Sequence, residues 1–373
     1  MRVCLIATEI FAHGIYGGFG ALTRKIAQGL ASKGVEVYVV MPRYPNQKPV
    51  EVIDNFTVIS YPGPGHYIGM RESMRYKSIF ELIDADIYHS EEPSIGTCLA
   101  QKSVPQKKHV VTFQDPRTLE DWKKEWEAMG LDKISIMKWE IKFKISYSSI
   151  KRAVKKADAL FSQAWYAIPK AMKIYKLKEP PKFLPNPVEI PKRSINKADE
   201  PTVCFLARWD LRKRPEYFFE LAKRFPDVKF IAMGKAGDAE RDKLLREKYK
   251  NIPNLIMTGF VSEEEKSKIL EKSWILINTS WRECLPVAYL EACAHKCAIL
   301  SHENPDDFAK KFGYHAKVGD LNDFERGLNW LLEEDKWREL GKRGYEYVKE
   351  VHEFNKVINE HIKIYEELLG EGE

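Results

Sequence analysis

No stretch of the 373 residues approaches the roughly 18 to 20 uninterrupted apolar residues that a membrane-crossing helix needs. Met1 and Arg2 lead straight into an apolar run with no cleavage-site pattern, so a soluble, cytoplasmic protein is expected. Cysteine is sparse. The six thiols (Cys4, Cys98, Cys204, Cys284, Cys293, Cys297) include no C-x-x-C pair, which argues against a disulfide framework and a zinc site and for buried, reduced side chains. There is no low-complexity tract and no sequence repeat. Asp84-Ala-Asp86 has the outline of a metal-binding D-x-D, but Asp86 opens the apolar run that ends at His89, and no metal is expected. Strong charge of one sign is also lacking, since the net charge is only +6, and no nucleic-acid partner is expected. The charge is uneven, however. Residues 101–198 carry 22 Lys/Arg against 10 Asp/Glu, and residues 301–373 carry 11 against 18. A basic first half suits either an anionic partner surface or a plain solvated face.

The chain does have apolar material in quantity, 44% of its residues, which at this length suffices for two cores. Short apolar runs at Val3 to Thr8, Val35 to Met41, Val110 to Phe113 and Ala159 to Phe161 read as buried strands separated by amphipathic stretches of helical period. That alternation predicts a parallel sheet covered on both faces. Lys178 to Pro201 is too rich in proline to continue a helix and is read as a linker. A second alternation follows, with strands at 203–207, 228–233, 254–258, 274–277 and 297–300. Helices are expected near 215–225, 238–249, 262–271 and 286–295, then at 321–333, 335–350 and 354–369. The expected fold class is thus α/β with two doubly wound domains, 1–196 and 197–352, followed by a last helical segment, 353–373.

The most informative segment is Trp281 to His295, WRECLPVAYLEACAH. Pro286 suits the first turn of a nearly all-apolar helix, in which Glu291 cannot avoid burial. An unpaired buried carboxylate would cost several kcal/mol, so Glu291 needs hydrogen-bond donors. Glu283 lies just before the helix, where the amides of Cys284 and Leu285 and the helix dipole favour an anion. A ligand with phosphates at the helix start and hydroxyls on the two carboxylates would satisfy all of these groups. A buried ion pair of Glu291 with a lysine or arginine elsewhere is the alternative. A second constellation follows the strand 203–207, where Arg208-Trp-Asp-Leu-Arg-Lys213-Arg leads into Pro215 and a helix. Ligands of open α/β sheets bind at such strand ends, and Arg208 and Lys213 could stabilise charge on a diphosphate without a metal ion.

Glu283 and Glu291 in an E-x7-E pattern, preceded by Arg208 and Lys213 in R-x4-K, resemble the retaining glycosyltransferases of family four, which have the GT-B fold of two Rossmann-like domains facing a cleft. The resemblance extends over nearly the whole chain, through Gly17-Gly18, Asp86-Ile-Tyr-His89, Ala157-Asp158 and Leu184-Pro-Asn186-Pro-Val-Glu189 in the family's order. It implies that residues 1–196 are the acceptor side, completed by the C-terminal helix crossing back, and that 197–352 bind the donor. Arg208 and Lys213 would bind the donor diphosphate, Glu291 the ribose hydroxyls, and Glu283 the transferred sugar with the backbone of Cys284 and Leu285. Gly259-Phe260-Val261 is similar to the family's base-reading segment. Gly234 sits in a turn where backbone could approach the nucleotide or merely connect strand to helix. Retention of configuration is implied, with the departing phosphate oxygen receiving the acceptor's proton.

On the acceptor side, Glu9 and the glycines up to Gly20 connect the first strand to a helix, and Gly17 and Gly18 permit close approach to the pyrophosphate. The spacing departs from G-x-G-x-x-G and no acidic residue ends the second strand at Val39-Val40-Met41, which disfavours a nicotinamide enzyme. Glu9, Gly17-Gly18 and Met41-Pro42-Arg43-Tyr44 also resemble glycogen and starch synthases, although Ile15 stands where those have a lysine. Gln114 stands where many family members have a histidine. It and Asp115 would hydrogen-bond a sugar, or Asp115 would cap the next segment. His89 is a further acceptor-side candidate, or a satisfied histidine at a strand end. Between Leu119 and Lys156, Trp122, Trp126, Trp139, Phe143 and Tyr147 mix with Lys123, Lys124, Lys138, Lys142 and Lys144. That pattern fits either peripheral contact with an anionic membrane at its inner face or a helix packing an aromatic face on its own domain.

The reading is an enzyme that moves a hexose from a nucleoside diphosphate sugar to a hydroxyl of a saccharide, lipid-linked or small-molecule acceptor, with no cofactor and with UDP, GDP and ADP all open as the nucleotide. A glucan synthase, an epimerase or phosphorylase on the same fold, and an inactive nucleotide-sugar-binding scaffold are the alternatives.

Overall fold

The computed structural model describes residues 1–11, 17–44, 47–62, 74–128 and 130–370. The chain divides into two compact units, Met1–Pro187 with Phe354–Glu373, and Val188–Glu353. The division falls inside the proline-dense segment.

The first unit holds an eight-stranded sheet of order β3-β4-β2-β1-β5-β6-β7-β8. Its strands are β1 (Arg2–Ile6), β2 (Glu36–Pro42), β3 (Val50–Ile53), β4 (Phe56–Tyr61), β5 (Ile87–Ser90), β6 (Lys108–Phe113), β7 (Ala159–Ser162) and β8 (Lys182–Phe183). Every pairing is parallel except β3 with β4. The period of two along β1 builds both faces. Val3 and Leu5 join Leu22 and Ile26 of the helix Gly18–Ser32, whereas Cys4 and Ile6 join Phe80, Ile83 and Leu99 of the helices Ser78–Ile83 and Ile95–Ser103. The C-terminal helix Phe354–Leu369 belongs to this unit and adds Ile358 and Tyr365 to the first of these cores. A Cβ on Gly29 would lie 2.6 Å from the Ile358 side chain, so glycine there lets the two helices meet.

The second unit holds an all-parallel six-stranded sheet of order β11-β10-β9-β12-β13-β14. Its strands are β9 (Thr202–Leu206), β10 (Lys229–Met233), β11 (Leu255–Gly259), β12 (Ile275–Asn278), β13 (Ala298–Ser301) and β14 (Gly313–His315). Their near-continuous apolar character follows from burial on both faces. Phe218, Phe219, Phe230, Tyr249 and Trp337 fill the core on the side of Val203 and Phe205. The order reverses between β9 and β12, so the loops leaving these two strands flank the switch point, the usual ligand crevice of an open α/β sheet.

Candidate functional site

Both loops at that switch point carry the residues singled out in sequence. After β9, Ala207 to Arg214 form a tight turn in which the Lys213 amide donates to the Asp210 carbonyl and to Asp210 Oδ1, each at 3.1 Å. Arg214 adopts φ +48° immediately before Pro215, which starts the helix Pro215–Arg224. After β12, the Thr279 hydroxyl donates to the carbonyls of Lys213 (2.7 Å) and Arg214 (2.8 Å), and the Trp281 amide donates to the Arg212 carbonyl at 3.2 Å. The two loops are thereby strapped together, which fixes Lys213 beside Glu283.

Lys213 Nζ and Glu283 Oε1 form an ion pair whose side chains are 15% and 9% exposed. Asn278 Nδ2 lies 3.4 Å from the same carboxylate oxygen. Burial works to raise the Glu283 carboxyl, but the charges of Lys213 and Arg212 and the Lys213 hydrogen bond outweigh it and hold the group below the usual carboxylate value. Burial lowers Lys213 even with Glu283 beside it. Arg208, the other expected phosphate ligand, is one-third exposed and pairs with Asp210 at 3.2 Å.

Glu283 is followed by Cys284, half-buried, and Leu285, buried, then by Pro286 as the extended N-cap of the helix Val287–Ala294. Pro286 therefore stands one position earlier than a first-turn proline, with the Tyr289 amide closing the turn onto its carbonyl at 3.0 Å. Glu291 is buried, and Lys266 Nζ donates to its Oε1 at 2.7 Å. The ion pair weighed as an alternative is present, and it supplies a charge-assisted donor that the sequence reading did not name. Lys266 lies on the helix Glu263–Lys272, whose Ser262–Glu265 capping box is readable in the sequence, although its reach to Glu291 is not.

Gly234 adopts φ +117°, and a Cβ there would lie 2.0 Å from the Ala207 carbonyl oxygen. Its amide donates to the Gly259 carbonyl at 2.8 Å. The glycine is thus required by protein backbone on both sides, at the ends of β9, β10 and β11. Beyond Gly259, Phe260 is 58% exposed and Val261 half-buried.

The acceptor-side candidates stand in the first unit, around the switch point between β1 and β5 and the end of β6. Glu9 Oε1 accepts from the Gly20 amide at 2.9 Å, so this carboxylate caps the start of the helix Gly18–Ser32, with extended Gly17 as its N-cap and Gly18 as its first residue. His13, Gly14 and Ile15 lie outside the described residues. Of the two readings of His89, the geometry matches the satisfied strand-end histidine: it is fully buried, with Nδ1 2.7 Å from the Tyr365 hydroxyl and Nε2 2.7 Å from Thr112 Oγ1, so both ring nitrogens are engaged within the core. Gln114 is buried as well. It exchanges hydrogen bonds with Asn186, Nε2 to Oδ1 at 3.0 Å and Nδ2 to Oε1 at 2.9 Å, so its amide locks β6 to the proline-rich segment instead of presenting itself to a sugar. Asp115 holds Arg117 Nε at 2.7 Å. Glu92, missed in the sequence, accepts from the amides of Gln114 (2.6 Å) and Asp115 (2.9 Å), and burial raises it to about 8.

With this geometry in hand, the Glycosyltransferase Family 4 model matches residues 16–162 and the Glycosyl transferases group 1 model matches residues 188–350. The chain belongs to the GT-B glycosyltransferases of the family-four type. Solved structures agree in fold with this glycosyltransferase. Sucrose-phosphate synthase from Thermosynechococcus elongatus superposes with a TM-score of 0.78 at 16% identity over 99% of both chains. Anabaena HepE, solved with UDP and glucose, gives 0.72 at 11% identity over 98% of this glycosyltransferase and 99% of its own chain. The catalytic domain of Arabidopsis thaliana starch synthase IV, bound to ADP and acarbose, gives 0.66 at 12% identity over 98% of each chain. No curated protein matches this glycosyltransferase in sequence.

Proposed function

We propose that the protein is a retaining, metal-independent hexosyltransferase that takes a nucleoside diphosphate sugar as substrate, with no cofactor, and transfers its hexose to a hydroxyl of a saccharide or lipid-linked acceptor. The observation that carries this reading is the Lys213–Glu283 pair strapped into the switch point of the second unit. The UDP and glucose of HepE and the ADP and acarbose of starch synthase IV support the substrate class.

In this mechanism the donor diphosphate draws Lys213 away from Glu283 and lies between it and Arg208, at the amides that precede the helix Val287–Ala294. Glu283, released from its lysine, hydrogen-bonds the hydroxyls of the hexose, and Glu291, charge-balanced by Lys266, receives those of the ribose. Phe260 and Val261 stand at the base. The bond between the anomeric carbon and the diphosphate oxygen breaks, and the acceptor oxygen forms its bond on the same face. The acceptor proton passes to the departing phosphate oxygen, so no separate general base is needed. Fixed cationic groups stabilise the charge that builds on the leaving diphosphate.

The test is to supply UDP-, GDP- and ADP-hexoses with saccharide acceptors in EDTA and to read the anomeric configuration of the product by NMR. Consumption of one donor with retained configuration, abolished by Glu283→Ala, is expected. An inverted product, or turnover that appears only with added divalent metal, would contradict it.

A further inference from the structure

The aromatic side chains between Leu119 and Lys156 are buried or half-buried and pack on one another. Trp122, Trp126 and Trp139 pack with Phe143 and Tyr147 in a chain of ring contacts 5.0 to 6.5 Å between centroids, and Tyr147 continues it to Tyr175. The structure points instead to the opposite face of the helix Lys133–Val154. There Ile134, Met137, Ile141 and Ile145 are 63%, 56%, 52% and 65% exposed. At about 100° per residue these four fall within a sector of roughly 80°, and at about 1.5 Å rise per residue they form a ridge some 16 Å long.

Charge is arranged around the ridge in a consistent way. Lys138 and Lys142 flank it on one side and Lys133 and Lys144 on the other, all four exposed. Glu140, the single acidic residue of the helix, is turned toward the inner side, where Lys123 holds it at 2.8 Å and Lys144 at 2.9 Å. Glu140 offsets part of the Lys144 charge on one border, while no residue of the helix places a carboxylate within the aliphatic row or beside Lys138 and Lys142. A straight aliphatic row bordered by lysines on both sides has the chemistry of a helix lying in the headgroup region, with its ridge among the acyl chains and its ammonium groups among lipid phosphates.

We propose that the helix Lys133–Val154 docks this first unit on an anionic lipid surface through Ile134, Met137, Ile141 and Ile145, with the flanking lysines selecting anionic headgroups. This goes beyond the transfer reaction, since it requires nothing of the donor site.

The test uses the full chain in flotation with vesicles of phosphatidylcholine and with vesicles in which about one third of the lipid is phosphatidylglycerol. Binding to the anionic vesicles alone, weakened by salt, is expected. The pairs Ile141→Ser with Ile145→Ser, and Lys138→Gln with Lys142→Gln, should each lower the partition coefficient by about tenfold or more. Because these side chains are exposed, Tm should stay unchanged and any nucleotide binding should persist, which separates a failed surface from a failed donor site. Absence of binding, equal binding to neutral vesicles, or unchanged partition of both paired variants would overturn the proposal. Dimerisation that the ridge variants abolish, without lipid binding, would overturn it too.

Discussion

Lys213 and Glu283, 70 residues apart in the chain, meet as a largely buried ion pair because a threonine hydroxyl ties the loop of one to the loop of the other. Removing one charge of such a pair leaves the other in a poorly solvated site. Lys213→Ala is therefore expected to cost roughly 3 to 5 kcal/mol by urea unfolding, whereas Lys213→Met combined with Glu283→Gln should recover most of that loss while transfer activity stays absent. Equal stability of Lys213→Ala and wild type would show that the pair is not constrained.

Glu291 has two candidate duties, pairing with Lys266 and binding a ribose. Glu291→Gln keeps the shape and a hydrogen-bond acceptor for Lys266. It is expected to lower nucleotide affinity by roughly tenfold, the loss of a charge-assisted hydrogen bond, in isothermal calorimetry, with only a modest fall in Tm. An unchanged Kd would leave Glu291 with the structural pairing alone.

At Gly234 a methyl group would strike the Ala207 carbonyl oxygen, and its positive φ is unfavourable for any side chain. Gly234→Ala is expected to destabilise the second unit by about 1 to 3 kcal/mol or more in urea unfolding, because the turn must open. The ends of β9, β10 and β11 meet here, so nucleotide affinity should fall along with stability.

His361 and Glu91 give the first unit two pH dependences of opposite sign. Burial lowers His361 to about 4, so the stability it contributes is complete above its unfolded pKa of about 6.5 and is lost as pH falls toward the folded value. Against a His361→Gln control, wild type should lose on the order of 3 kcal/mol between pH 7 and pH 4, read as faster amide exchange in the helix Phe354–Leu369. Burial raises Glu91 to about 8, so its contribution is complete below an unfolded pKa of about 4 and is lost as pH rises through 8. Glu91→Gln should therefore gain on wild type over that interval, and a constant difference would contradict the burial of an uncompensated carboxyl.

Much of this architecture was legible in sequence, for reasons that differ between elements. Pro215, the apolar run around Glu291 and the long amphipathic stretch at 354–369 each announce a helix, and the helices lie at Pro215–Arg224, Val287–Ala294 and Phe354–Leu369. The hairpin of β3 and β4 was not read, because β3 is a four-residue edge strand with Val50 and Val52 exposed and Glu51 between them. Burial of Glu291 followed from its neighbours, but its partner Lys266 is 25 residues away and only the fold brings it close. His89 and Gln114 lie at or just past strand ends as expected. Whether such a residue faces a ligand or the core depends on the pleat and on what packs there, here Tyr365 of the last helix and Asn186. The helix at 133–154 is apolar on two faces, and its sequence did not reveal which face turns outward.

The most direct measurement is thermal stabilisation by millimolar UDP, GDP and ADP in EDTA, for wild type and for Glu291→Ala, since a ligand that binds only the folded protein must raise Tm. A rise with one nucleotide that is lost in the variant is the expected result, and it would establish the nucleotide site at the switch point of the second unit without a metal. No rise with any nucleotide, repeated with magnesium, or a rise that survives in Glu291→Ala, would contradict it.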